Sequence, residues 1–212
     1  MSALRAFPVV LLLALITLSA QPARAHRFGV ILLAPLSGPQ ADAGKAFIDG
    51  FALATREQDR HAFEESDGHL GGLDSYLYKL DSQFEPEQIA QNLKRLISKE
   101  HPAFLSAIPA PKSMQQTIEV TSARDIVVVQ PEQSKMWKSA QTTPGRLTMI
   151  DGTFFSGTFE RVYKYAPNTA ASRGYIAARL ISMAVRSLNQ NPAQDLSATR
   201  SALHEAQNSL PE

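Results

Sequence analysis

The chain contains no cysteine, which excludes a disulfide framework, a thiol nucleophile and a thiolate metal site. It has almost no surplus charge. Its 21 Lys and Arg stand against 20 Asp and Glu, a balance that gives no argument for nucleic acid or an anionic membrane surface as partner. It also lacks the compact catalytic signatures: there is no G-x-S-x-G elbow, H-E-x-x-H pair, Walker loop or G-x-G-x-x-G run. Histidines stand scattered at His26, His61, His69, His101 and His204; His61 and His69 share a polar loop without metal-site spacing and read as surface residues. No catalytic residue, resident metal or cofactor is expected, and the chain is read as a non-enzyme. There is no internal repeat or long low-complexity segment, and one tryptophan, Trp137.

Long apolar runs are scarce as well. The one at 9–18 follows Arg5 and precedes Ala23-Arg24-Ala25, a small-x-small cleavage site. This is the pattern of a secretory signal peptide over 1–25, cleaved after Ala25, and the run is short for the alternative, a membrane span. The next residue is His26 rather than a cysteine, so a lipid anchor at that point is excluded and a periplasmic product is expected. Cleavage would set the His26 imidazole beside a free amino group, a bidentate chelate for copper. The remaining 26–212, roughly 190 residues, suffice for one domain with a full core and not for two of ordinary size.

What is present centres on 28–54, FGVILLAPLSGPQADAGKAFIDGFALA. The unbroken apolar run 28–33 reads as a strand buried on both faces, central in a parallel sheet. Pro35, Ser37, Gly38 and Pro39 break it, and from Asp42 the apolar residues Ala43, Ala46, Phe47, Gly50, Phe51 and Ala54 take the spacing of one helix face. In an open α/β sheet, the loop between lies at the carboxyl end of the strand, where ligands bind against the N–H groups of a helix start.

The rest alternates. A half-exposed strand is predicted at 75–81, with Tyr76 and Tyr78 packing, and then a helix from Pro86 burying Ile89, Leu93, Leu96 and Ile97. A third strand at 103–108 leads through Pro109–Ser113 into a helix at 114–123, where Ser113 reads as an N-cap or as a ligand hydroxyl. A fourth strand at 126–129 ends at Gln130 and Pro131, followed by an edge strand at 147–150 and helices at 158–165, 175–188 and 196–207. Arg173, Arg179 and Arg186 along the long helix read as a solvated face.

The run VILLAPLSGPQADAGKAFIDGFALA resembles the opening of type I periplasmic binding proteins, the leucine/isoleucine/valine-binding class of ABC-transporter receptors. GGLDSYLYKLDSQFEPEQIAQNLKRLIS, HPAFLSAIPAPKS and RGYIAARLISMAVRSL keep the order of that family. The resemblance implies an α/β fold: a single three-layer domain over 26–212, a mainly parallel sheet in the order 2-1-3-4 with an edge strand, equivalent to the first lobe of those proteins. It implies a solute-binding protein for a small amino-acid-like or carboxylate ligand, with Ser37, Gly38, Ala107, Ser113 and Gln130 at the ligand and an ABC permease as partner. Where the family has a glycine- and serine-rich loop, this chain has Ser106-Ala107-Ile108 and two prolines. Where the family crosses into a second lobe, it has only the short stretch 131–145.

The missing lobe suggests an alternative, an accessory or regulatory protein of a periplasmic or membrane complex that uses the uncovered face. Its motivation is Trp137 with Met136, Phe154 and Phe155 in and after the crossover. The pattern L-x-P-L-S-G-P-x-A-x-x-G-x-A-x-x-D-G-F is similar to the binding-protein-like domain of outer-membrane lipoprotein activators of peptidoglycan synthases, a domain put to protein contact. A homodimer through Trp137 and Phe154 follows from the same uncovered rim.

Overall fold

The computed structural model describes residues 26–57, 66–108, 126–142, 147–149, 152–188 and 190–209. Five strands form one sheet: β1 (Arg27–Ala34), β2 (His69–Leu70), β3 (Leu73–Asp81), β4 (Phe104–Ala107) and β5 (Val127–Val129), in the order β2-β3-β1-β4-β5. β1 pairs parallel with both β3 and β4, and β5 pairs parallel with β4. The four main strands therefore stand in the expected order, with β1 central. Its alternation divides the core: Val30, Leu32 and Ala34 enter one cluster, and Ile31 and Leu33 the other. Each such side chain removed from water contributes roughly 1.5–3 kcal/mol, which makes β1 the axis of both layers.

On the smaller face lies α2 (Pro86–Glu100), started by Pro86 and ended by His101 in the left-handed region, with Ile89 and Leu93 buried against Leu80, Leu105 and Ile126. The larger face carries α1 (Ala41–Arg56), α4 (Phe155–Tyr163), α5 (Thr169–Ser187) and α6 (Leu196–Asn208). α1 and α5 meet backbone to backbone. A Cβ on Gly174 would lie 1.9 Å from the carbonyl oxygen of Phe47, so only glycine permits the crossing. Side-chain caps hold the later helices: Asn168 accepts from the N–H of Ala171, and Asp195 from those of Ser197 and Ala198.

Three expectations are corrected here. The antiparallel edge strand is His69–Leu70, inside what the sequence reads as a loop, and 147–149 does not join the sheet. Thr148 instead bridges Phe154, because the chain turns back on itself at Gly152, with Phe155 N–H donating to Leu147 O at 2.8 Å. His69 is not a surface residue: it is buried, with Nε2 2.9 Å from Asp74. The arginines of α5 are not a solvated face. Arg179 is buried against Glu57, 3.7 Å away, and both meet the hydroxyl of Tyr175, which donates to Glu57 at 2.8 Å and accepts from Arg179 at 3.0 Å. Only Arg186 is exposed.

The crossover also carries structure, a 3-10 turn at Pro131–Gln133 and the helix α3 (Lys135–Thr142). At the β5 edge, the outward carbonyls are met by α6: Gln207 donates to Gln130 O at 3.1 Å, and Arg200 reaches Ile126 O at 3.5 Å. A helix over an edge strand blocks strand addition there. Among the described residues no helix is long and apolar enough to cross a membrane.

Candidate functional site

Parallel strands deliver their carboxyl ends to one rim. Ala34 of β1, Asp81 of β3, Ala107 of β4 and Val129 of β5 end there, so Ser37, Gly38, Ala107 and Gln130 share it. The chain leaves β1 toward β3 on one side and β4 lies on the other, which makes the rim above β1 the topological switch point. Ser113 lies outside the described residues.

The first loop is tied down by a residue that sequence reasoning passed over. The hydroxyl of Ser37 donates to Asp81 Oδ2 at 2.6 Å, and the N–H groups of Leu36 and Gln83 donate to Oδ1 at 2.9 and 3.0 Å. Burial raises the Asp81 carboxyl, but these donors and the N–H of Ser37 outweigh it and hold the group below the ordinary carboxylate range. With its O–H engaged by Asp81, Ser37 offers a ligand only lone pairs and suits an ammonium or hydroxyl donor. Gly38 follows at φ 71°, opening the 3-10 turn Gly38–Gln40 that leads into α1. α1 has no side-chain cap and carries Asp42 in its first turn. That carboxylate takes the place beside the helix dipole that an anionic group would otherwise favour.

At β4, half-buried Ala107 presents no polar side chain. Beside it the hydroxyl of Ser106 is fully buried and has no hydrogen-bond partner among the described residues. Register places Ser106 between Leu32 and Val129. At β5, exposed Gln130 accepts through its side-chain oxygen from Gln133. Two residues on, Glu132 pairs with Arg173 of α5, whose guanidinium lies 5.2 Å from the ring centre of Trp137. The Arg173 side chain is only 11% exposed, and burial lowers its pKa to about 10. Trp137 is thus half-buried against its own domain, whereas Phe154 is 59% exposed. Met136 and Phe155 belong to the core.

A second polar cluster joins α1 to the segment just after α4. Lys45 contacts Asp49 at 2.5 Å and stands over the Tyr165 ring at 4.7 Å, and Tyr165 donates to Asp49 at 2.7 Å. Burial and then Asp49 push the Tyr165 phenol upward. Two open clefts, of about 420 and 560 Å³, lie toward the amino end of the sheet, the larger lined by His26, Asn191 and Gln194. Among the described residues no three His, Asp or Glu side chains gather to hold a metal ion.

No protein-family model and no curated protein matches the sequence. Solved structures do match. The branched-chain amino acid transporter substrate-binding protein of Streptococcus pneumoniae, in complex with isoleucine, superimposes with TM-score 0.57 at 10% identity over 84% of this chain and 87% of that one. An ABC-transporter solute-binding protein of R. palustris, in complex with benzoate, gives 0.56 at 13% identity over 84% and 85%. A possible leucine/isoleucine/valine-binding protein of Rhodopirellula baltica gives 0.51 at 13% over 88% of each chain. The chain spans 33% of the length of a substrate-binding periplasmic protein of Ralstonia solanacearum. The fold is that of ABC substrate-binding proteins, and at these identities the likeness is one of fold.

Proposed function

We propose that the chain is a non-enzymatic, periplasmic solute-binding protein, part of or derived from an ABC transport system, that takes a small amino-acid-like or carboxylate ligand at the rim formed by 35–40 and 107–113. The observation that carries this reading is the switch point itself, β1 between β3 and β4 with Ser37, Gly38 and Ala107 at their carboxyl ends. Isoleucine and benzoate, held by two proteins of the same fold, are both small carboxylates. Ser113 joins the site as a second hydroxyl and Gln130 as its side wall. A single lobe covers a ligand from one side, so affinity is modest. Calorimetry with amino acids and small carboxylates tests the proposal: Ser37→Ala and Ser113→Ala are each expected to weaken binding about tenfold. No heat from any ligand, or binding indifferent to both changes, overturns it.

A second reading, protein contact through the same face, is favoured by the exposure of Leu36 (38%), Phe84 (41%) and Phe154 (59%). In that reading the protein is an accessory subunit or a two-fold homodimer. Sedimentation across concentration, with and without Phe154→Ser, separates it from the first: a concentration-independent monomer counts against it.

A further inference from the structure

Arg173 is a costly residue to place where it is. It stands in the second turn of α5, and its side chain is largely withdrawn from water. The Glu132 side chain is 37% exposed, and an ion pair open to water on one side contributes little, so stability alone does not account for the pair. Its counter-ion, Glu132, comes from a short turn rather than from a regular element. That turn is fixed by Ser134 donating to Pro131 O at 2.6 Å and accepting from the N–H of Trp137 at 3.1 Å.

The charges around it argue for a ligand role. Of the other rim side chains named above, Ser37, Asp81 and Asp42 are acceptors toward a ligand, and Gln130 is uncharged. Lys45, the cation of the neighbouring α1, is held by Asp49 and Tyr165. A ligand carboxylate at this rim therefore needs a cation. The planar guanidinium fork matches a carboxylate with two parallel hydrogen bonds, and an indole on its face adds a wall for an apolar or aromatic body.

Resting on the solute-binding reading above, we propose that Arg173 is the carboxylate anchor of this rim and that the Glu132 carboxylate occupies it as a built-in surrogate. A ligand carboxylate binds by displacing the Glu132 side chain from the guanidinium, which changes the surroundings of the Trp137 ring lying against it. The surrogate lowers the apparent affinity by the fraction of molecules in which Arg173 is taken.

The test titrates the purified protein with benzoate and with isoleucine by calorimetry and by emission of the sole tryptophan. Glu132→Gln is expected to bind benzoate at least about tenfold tighter than wild type. Because it leaves Arg173 without its counter-ion, it is accompanied by the charge-balanced Glu132→Gln, Arg173→Met double variant, expected to bind at least about tenfold more weakly than wild type. In wild type, Trp137 emission is expected to change with the same midpoint as the heat. Should wild type bind and Ser37→Ala weaken it, while the double variant stays within twofold of wild type and the emission does not move, the anchor is refuted and the solute-binding reading stands. Should no variant bind either probe, both fall.

Discussion

Two helical glycines are expected to answer the same substitution with opposite sign. Alanine is favoured over glycine inside a helix by roughly 1 kcal/mol. In α4 a Cβ on Gly157 meets nothing within 4 Å, so Gly157→Ala should stabilise the protein by about 0.5–1 kcal/mol. In α5 the same atom on Gly174 would sit 1.9 Å from Phe47 O and 2.9 Å from Phe51 N. These are backbone atoms and cannot rotate aside. Restoring a normal carbon–oxygen contact of about 3.3 Å requires α1 and α5 to part by on the order of 1 Å. Phe47, Phe51, Tyr175 and Ile176, all fully buried, would lose contact together. Overpacking of this kind costs about 1–3 kcal/mol, here at the upper end, which leaves a net loss of about 2 kcal/mol after the propensity gain. In a domain of this size that is a fall in Tm of about 4–8 °C. Urea unfolding followed by far-ultraviolet circular dichroism measures both variants. A neutral or stabilised Gly174→Ala would mean that α1 and α5 do not cross at this distance, and the argument for the larger core layer would fail.

The Asp81 carboxyl sits below its ordinary range in the folded chain, so its contribution is present above about pH 4 and is lost as pH falls further; amide exchange at Leu36 and Gln83 should quicken in that window, and Asp81→Ala should quicken it at every pH. Tyr78, Tyr163, Tyr165 and Tyr175 are raised chiefly by burial. Their stabilisation is complete below about pH 10 and declines as pH rises, so an ultraviolet titration should show them ionising above the ordinary tyrosine range. Glu57→Gln leaves Arg179 buried without its counter-ion and should cost about 3–5 kcal/mol, with Glu57→Leu, Arg179→Met recovering most of it in the same unfolding assay.

The sheet was legible because β1 is apolar on both faces, and only a central parallel strand buries both. Short elements were not. Two residues, His69 and Leu70, cannot show a period, and they form a strand only because the turn at Gly71 and Gly72 folds them back on Leu73 and Asp74. The reverse error at 147–149 has the same cause: an apolar stretch of strand length paired with its own continuation at Phe154. α3 was hidden because it is only eight residues long, with Met136, Trp137 and Ala140 as its sole apolar contacts to the core among the described residues.

The charged half of the rim was hidden for a different reason. Periodicity assigns faces by contrast, and α5 offers little, being buried from Ala171 to Val185 nearly all round, so an arginine in the pattern looks like the exposed side by default. What would have located Arg173 and Arg179 is pairing across the chain, Glu132 with one and Glu57 with the other, and neither separation carries a local signature. The two pairs then diverge in meaning. Glu57 and Arg179 are bridged by the hydroxyl of Tyr175 and stand between two long helices whose backbones touch, so nothing can enter without parting α1 from α5. Glu132 stands on a single turn at the end of β5, on the rim where the parallel strands end, and its side chain is 37% exposed, so the carboxylate can swing away without the turn itself moving. Of the two paired arginines on one helix, the one whose counter-ion is partly open to water is the one suited to exchange that partner for a ligand.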